Sequence, residues 1–194
     1  MPNSATDINT ISQSSSQTIL DDIAERIGFV PALFAKLAEQ PGVVEAFVGL
    51  DTAFTNTSLT PIERQTILLA ASVENCGRYC VAGHTLFGRK IGMQEQAIEA
   101  IRSADIVEDE RLAALDTFVR QLIQARGHAT PEQVSALVQV GFSREQMMEV
   151  VMGITLKTFS NYVDSALQLR LDEQFAAAAW SSTEASRLEA SRTS

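Results

Sequence analysis

The sequence predicts an all-α protein, a compact bundle of about seven to nine helices, on three observations. Apolar residues recur at three and four positions along almost the whole chain. Ser, Thr and Pro stand where helices start, and Gly stands where they stop. No segment alternates apolar and polar residues with the period of two that a half-buried strand requires.

The first helices are short. Ile19, Ile23 and Ile27 form one stripe, Leu33, Phe34 and Leu37 a second, and Val43, Val44, Phe47 and Leu50 a third, punctuated by Pro31 and Pro41-Gly42. Thr60-Pro61-Ile62-Glu63 then reads as a capping box, with Thr60 at the N-cap, Pro61 at the first helical position and Glu63 at the third. A long helix is expected from there through Ile67 to Val73, with a break or bend near Asn75-Cys76-Gly77 and a second helix carrying Tyr79 to Phe87. Ala97–Ile101, Arg111–Ala125, Pro131–Val140 and Arg144–Leu169 supply the remaining segments. Thr130 and Ser143 are N-cap candidates there, and Gly127 and Gly141 mark ends. The helix opened at Thr60 and the one opened at Ser143 echo each other faintly, the second copy lacking cysteine and histidine.

A chain of 194 residues, 45% apolar and 20% charged, has the composition of an ordinary globular protein. One domain over residues 18–180 is expected. Residues 1–17 and 181–194 are poor in large apolar side chains and are expected to be flexible tails, because they bury too little to offset the entropy of ordering. A net charge of -9 without a Lys/Arg cluster argues against nucleic acid as a partner. No apolar run is long enough to span a membrane, and the first residues lack the pattern of a secretory signal, so the cytoplasm is the expected address.

In that reducing compartment, two cysteines four residues apart are expected to be catalytic or metal-binding rather than a structural staple. Cys76 and Cys80 are the only cysteines, and His84 is one of two histidines. On a continuous helix, steps of four drift only about 40° each, so Cys76, Cys80 and His84 share one stripe with Cβ atoms about 5–6 Å apart. A disulfide between the cysteines then needs local distortion, which Gly77 and a helix start are able to supply. A thiol attacks as thiolate, and an imidazole one turn away takes its proton, which suits Cys80 and His84. A helix start near Gly77 favours a thiolate at Cys76. Glu74 or Glu63 is expected to orient the imidazole, with Tyr79 a further orienting candidate. His128, in a turn, is read as an ordinary surface residue. Three Cys/His ligands on one helix face leave a fourth zinc ligand unassigned, so neither metal nor cofactor is expected.

The segment Asn75 with Tyr79-Cys80-Val81-Ala82-Gly83-His84, preceded by Leu59-Thr60-Pro61-Ile62-Glu63-Arg64-Gln65, resembles the alkylhydroperoxidase D and carboxymuconolactone decarboxylase superfamily. Phe29-Val30-Pro31 with Pro41 resembles its opening helices. Leu156-Lys157-Thr158 through Asn161-Tyr162, then Leu171-Asp172 to Phe175 and Trp180, resembles the ending of its peroxidase-related branch, so the likeness covers roughly residues 20 to 180. The resemblance implies an all-α fold assembled as a trimer or hexamer, and thiol-dependent reduction of small hydroperoxides with an external thiol reductant. It implies Cys80 as the attacking thiol, the first cysteine of the pair as the resolving one, and a Glu–His proton relay through His84.

Two departures follow. The family's first cysteine belongs where this chain has Gly77, so Cys76 is displaced by one residue. The relay glutamate belongs at Gln65, which does not shuttle a proton at neutral pH. Glu74 is the expected substitute and Glu63 the second choice. Two other functions fit less well. A histidine-based lactone decarboxylase has no use for the cysteine pair and wants cations, of which only Arg78, Arg89 and Lys90 lie near. A non-enzymatic redox-sensing oligomer would react once and stop.

Overall fold

The computed structural model describes residues 5–181, with side chains from residue 16 onward. Among the described residues there are nine α-helices, one 3₁₀ helix and no strand, as the periodicity predicts. The chain divides into two compact units, with the boundary between Ala53 and Phe54.

In the first unit α1 (Ala5–Ile27), α2 (Ala32–Leu37) and α3 (Pro41–Thr55) follow one another. Helix α1 begins at Ala5, inside the segment expected to be a tail. A helix nucleated on the Ile19–Ile23 stripe extends at one hydrogen bond per added residue, and that propagation outweighs the weak propensities of a Ser/Gln-rich stretch. Ile23, Val44 and Phe47 are buried, and Phe34 meets Phe47 edge to face with centroids 5.7 Å apart. The tail expected over 181–194 lies, apart from Ser181, outside the described residues.

The second unit is built around α4 (Pro61–Glu74), which packs against α5 (Arg78–Lys90), α6 (Glu95–Ser103), α7 (Glu110–Gln124) and α9 (Arg144–Leu167); α8 (Pro131–Gln139) leans on α7. Ile67, Leu69, Ala70, Ala71 and Val73 of α4 are wholly inaccessible, as a helix enclosed on every side requires. Each such Ile or Leu contributes about 1.5–3 kcal/mol by leaving water. At Gly153 of α9 a Cβ would sit 2.7 Å from the Phe54 ring and 2.8 Å from Ile67, so the absence of a side chain there sets how closely α9 approaches α4.

The helix starts follow the caps read from the sequence. Thr60 Oγ1 accepts from Glu63 N at 3.2 Å while Glu63 accepts from Thr60 N at 2.7 Å. Matching boxes close at Thr130 with Gln133 and at Ser143 with Gln146. Beyond α9 the chain returns through a 3₁₀ helix (Glu173–Ala178) that packs on α5. Phe175 meets the rings of Tyr79 and Phe87 edge to face, and Arg102 of α6 ties Thr85 of α5 to the carbonyls of Ala178 and Ala179.

Candidate active site

Helix α4 ends in a Schellman closure. Gly77 N donates to Ser72 O at 2.8 Å and Cys76 N donates to Val73 O at 3.0 Å, with Cys76 in the left-handed region at φ 55°. Glycine usually takes that place, but here it comes one residue later, at Gly77, because a Cβ on Gly77 would lie 2.2 Å from Nδ2 and 2.6 Å from Cγ of Asn161. Helix α5 opens at Arg78. The helix is therefore not continuous through both cysteines, and Cys76, Cys80 and His84 do not form one stripe. Cys76 sits in the turn between helices, half-buried, while Cys80 sits in the first turn of α5, buried, and both are free thiols.

Gly77 offers α5 no capping side chain, and α9 supplies one. Asp164 Oδ2 accepts from Tyr79 N at 3.1 Å. Burial raises the Asp164 pKa, against the lowering from that hydrogen bond and from Arg78. The pairs Tyr79–Asp164, Cys80–Ser160 and His84–Lys157 run in opposite chain directions, so α5 and α9 lie antiparallel with a ladder of polar contacts between them, and Asn75 before α5 adds a donor to Asn161.

Two rungs of the ladder hold the chemistry. Cys80 Sγ donates to Ser160 Oγ at 3.6 Å, and Ser160 Oγ donates to the Lys157 carbonyl at 3.2 Å. One turn along, Lys157 Nζ is 2.8 Å from His84 Nε2. On the other side of the ring, Gln65 Nε2 is 2.9 Å from His84 Nδ1 and donates to His84 O at 2.7 Å. The thiol and the imidazole, expected to bond to each other, instead bond to α9 and α4, because those helices press polar groups against the α5 face between them.

Glu74 is not a partner of His84: its carboxylate accepts from Gln124 at 3.2 Å and lies 3.8 Å from Arg120, both on α7. Glu63 is held by Thr60 and by Arg111 at 2.6 Å, and its pKa is lowered because these bonds outweigh the desolvation that alone would raise it. The group that reaches the imidazole from α4 is Gln65 itself, at the position the resemblance gives to the relay residue. The Tyr79 hydroxyl donates to Asp172 and so anchors the returning chain rather than the histidine. Lys157, Ser160, Asn161 and Asp164, all buried, were not singled out as site residues in the sequence, although their spacing of three and four on one helix was there to read.

Burial holds the His84 pKa well below its ordinary 6.5, and Lys157 beside it adds to the effect. Below pH about 6.5 the unfolded chain binds a proton at this histidine that the folded chain does not, so stability falls as pH falls through that range. The slope from this one group is at most about 1.4 kcal/mol per pH unit. Chemical denaturation of His84→Gln between pH 7 and 5 is expected to show a flatter decline than the unaltered protein.

Beside Cys76 opens a cleft of about 660 Å³ lined by Cys76, Arg78, Tyr79, Asp164, Leu171 and Trp180, among others. Among the described residues no cluster of three or more His, Cys, Asp or Glu is placed to hold a metal ion, and no helix is long and apolar enough to cross a membrane.

The described residues thus form an all-α bundle with a thiol and an imidazole one turn apart on α5, which starts beside a second thiol. Residues 41–116 match the model of the carboxymuconolactone decarboxylase family. The fold is shared with a peroxidase-related protein with an alkylhydroperoxidase AhpD core from Ralstonia eutropha JMP134, at TM-score 0.76 and 22% identity over 84% of this chain and 87% of that one. It is shared equally with a peroxidase-related protein from Silicibacter sp. TM1040, at TM-score 0.73 and 19% identity over 84% and 87%. A third similar structure is a cysteine-to-alanine variant of the debrominase Bmp8 in complex with 2,3,4-tribromopyrrole, at TM-score 0.72 and 16% identity over 91% and 93%. No curated protein matches the chain in sequence. The family pattern thus matches residues 41–116, within a fold that the chain shares with these three structures.

Proposed function

We propose that the chain is a thiol-dependent peroxidase in which Cys80 is the attacking thiol, Cys76 the resolving thiol and His84 part of the proton path. The observation that supports this most is the placement of two free thiols on either side of the start of α5, the inner one buried beside the imidazole and the outer one open to a cleft. Cys80 occupies the first turn of α5, where unpaired N–H groups and the helix dipole stabilise the negative charge that develops on an attacking sulfur.

The Cys80 sulfur attacks the terminal oxygen of a hydroperoxide, the O–O bond breaks, and the thiol proton goes to the departing alkoxide. Cys80 is oxidised to a sulfenic acid and the hydroperoxide is reduced to an alcohol. Cys76 condenses with the sulfenic acid, releasing water and forming a disulfide. Two external thiols reopen it, the first attacking the more accessible sulfur, Cys76.

The proposal includes assembly as a trimer or hexamer. Supporting it, α9 turns Met148, Val151, Phe159 and Tyr162 outward on one face while its polar residues are buried. The test of function is consumption of an organic hydroperoxide with and without a small dithiol. A peroxidase continues to turn over only with the dithiol; a redox sensor consumes one equivalent and stops in both; no consumption in either overturns the proposal.

A further inference from the structure

The cleft of about 660 Å³ at the start of α5 is lined by Cys76 and not by Cys80, which is 4% exposed. Its occupant therefore meets the outer thiol. In the proposed reaction that sulfur is the one a reductant attacks, so the cleft serves the reducing half of the sequence. Its volume lies in the range that a small molecule fills.

The lining describes that molecule. Arg78, exposed, stands two residues from Cys76 in the same lining, and its side chain makes no hydrogen bond or ion pair among the described residues. Asp164, the acidic residue of the lining, is buried and turned to Tyr79 N at 3.1 Å, so the charge that the cleft shows to solvent is a cation. Helix α5 begins at Arg78, and the positive end of its dipole adds to the same sign. Leu169, Leu171 and Trp180 supply apolar wall. Trp180 also has a buried indole N–H with no acceptor among the described residues. A buried donor left unpaired is costly, and an acceptor entering the cleft relieves that cost.

We infer that the cleft binds the reductant as a small thiol that carries a carboxylate, the carboxylate held by the Arg78 guanidinium and the sulfur presented to Cys76. This rests on the reading of Cys76 as the resolving thiol. A guanidinium meets a carboxylate with two parallel N–H donors, and the apolar wall takes the chain between carboxylate and sulfur. The thiolate of the first molecule attacks Cys76 Sγ, the Cys76–Cys80 bond breaks, and Cys80 leaves and takes up the proton that the thiol gave up. A second molecule attacks its own kind's sulfur in the mixed disulfide and releases Cys76 as a thiol. Two small thiols are oxidised to one symmetrical disulfide, and one protein disulfide is reduced to two thiols.

The test uses the full chain with Cys80→Ser, in which Cys76 is the one cysteine. Its exchange is followed by mass with the symmetrical disulfides of 3-mercaptopropionate, anionic, of 2-mercaptoethanol, neutral, and of cysteamine, cationic. Each rate is taken relative to that of a short neutral cysteine peptide, which removes the reagents' own reactivity. A net charge of -9 disfavours anions over most of the surface, so a preference for the anionic reagent reports the local cation. That reagent is expected to react about fivefold faster than the neutral one, the factor that a pair of unit charges in contact supplies in water, and the cationic one slowest. Added salt is expected to shrink the preference. Arg78→Gln is expected to abolish it, and Arg78→Lys, which keeps the charge but not the fork, to retain part of it. Arg78 is exposed, so these variants do not put the fold at stake. No anionic preference with Arg78 present, or the same preference in Arg78→Gln, overturns the inference. The exchange needs no hydroperoxide, so a chain that shows the preference but consumes no hydroperoxide refutes the peroxidase reading and leaves the cleft assigned to a carboxylate-bearing thiol.

Discussion

Cys80→Ser is expected to abolish hydroperoxide turnover, with a loss of at least the hundredfold to ten-thousandfold range of a lost proton-transfer group, since Cys76 stands in the turn before α5 and lacks the position in its first turn that Cys80 has. Cys76→Ser is expected to behave differently. It retains the buried nucleophile and its partner Ser160, so it reduces one equivalent of hydroperoxide and stops as a sulfenic acid. Stopped-flow consumption with limiting enzyme separates the two: no burst for the first variant, one stoichiometric burst for the second. Steady turnover by Cys76→Ser with the dithiol present would show that the reductant attacks the sulfenic acid directly and that the displaced cysteine is dispensable. The left-handed backbone at Cys76 makes this a real question, because the resolving sulfur leaves from a turn rather than from the helix face expected of a regular spacing.

The second large effect is expected at Gly77. Its Cβ would enter the space held by the Asn161 side chain, which is fully buried, so Gly77→Ala is expected to cost about 1–3 kcal/mol by overpacking. For a chain of this size that is a fall in Tm of about 2–4 °C per kcal/mol. Asn161→Ala alone loses the hydrogen bond from Asn75, worth about 1 kcal/mol. The double variant is expected to be more stable than the sum of the two losses, with a coupling of about 1–2 kcal/mol. Strict additivity in thermal or urea unfolding would contradict the steric account. The same coupling explains the cysteine register: with Asn161 seated on position 77, a side chain there is excluded, and the thiol stands one residue earlier. Gly77→Cys is therefore expected to be tolerated only when Asn161 is made small.

How much of this was legible in the sequence follows from the range of the interactions. The capping boxes at Thr60, Thr130 and Ser143 are local, with donor and acceptor three residues apart, and each closes as read. The break after Glu74 was also legible, since Asn-Cys-Gly is a poor helix interior. Which side of Gly77 the next helix begins on was not, because the deciding contact comes from Asn161, far along the chain. Gln65 was placed by register with a family, but its partner was chosen by chemistry, and a carboxylate was preferred where an amide and a lysine meet the ring.

Helix α9 misleads for a physical reason. The usual reading buries the apolar face of an amphipathic helix. Here Lys157, Ser160, Asn161 and Asp164 are inside while Met148, Val151, Phe159 and Tyr162 face outward. The polar groups are buried where α5 presents a helix start, a thiol and an imidazole to be partnered.

If Cys80 and Cys76 exchange electrons with a hydroperoxide as a pair, the two sulfurs end joined in a disulfide. The most direct measurement is the mass of the reduced chain after one equivalent of an organic hydroperoxide, with the free thiols then blocked by an alkylating reagent. A chain lighter by two hydrogens, in which neither cysteine takes up the reagent, is the expected result. An unchanged mass with both cysteines still alkylated would contradict it.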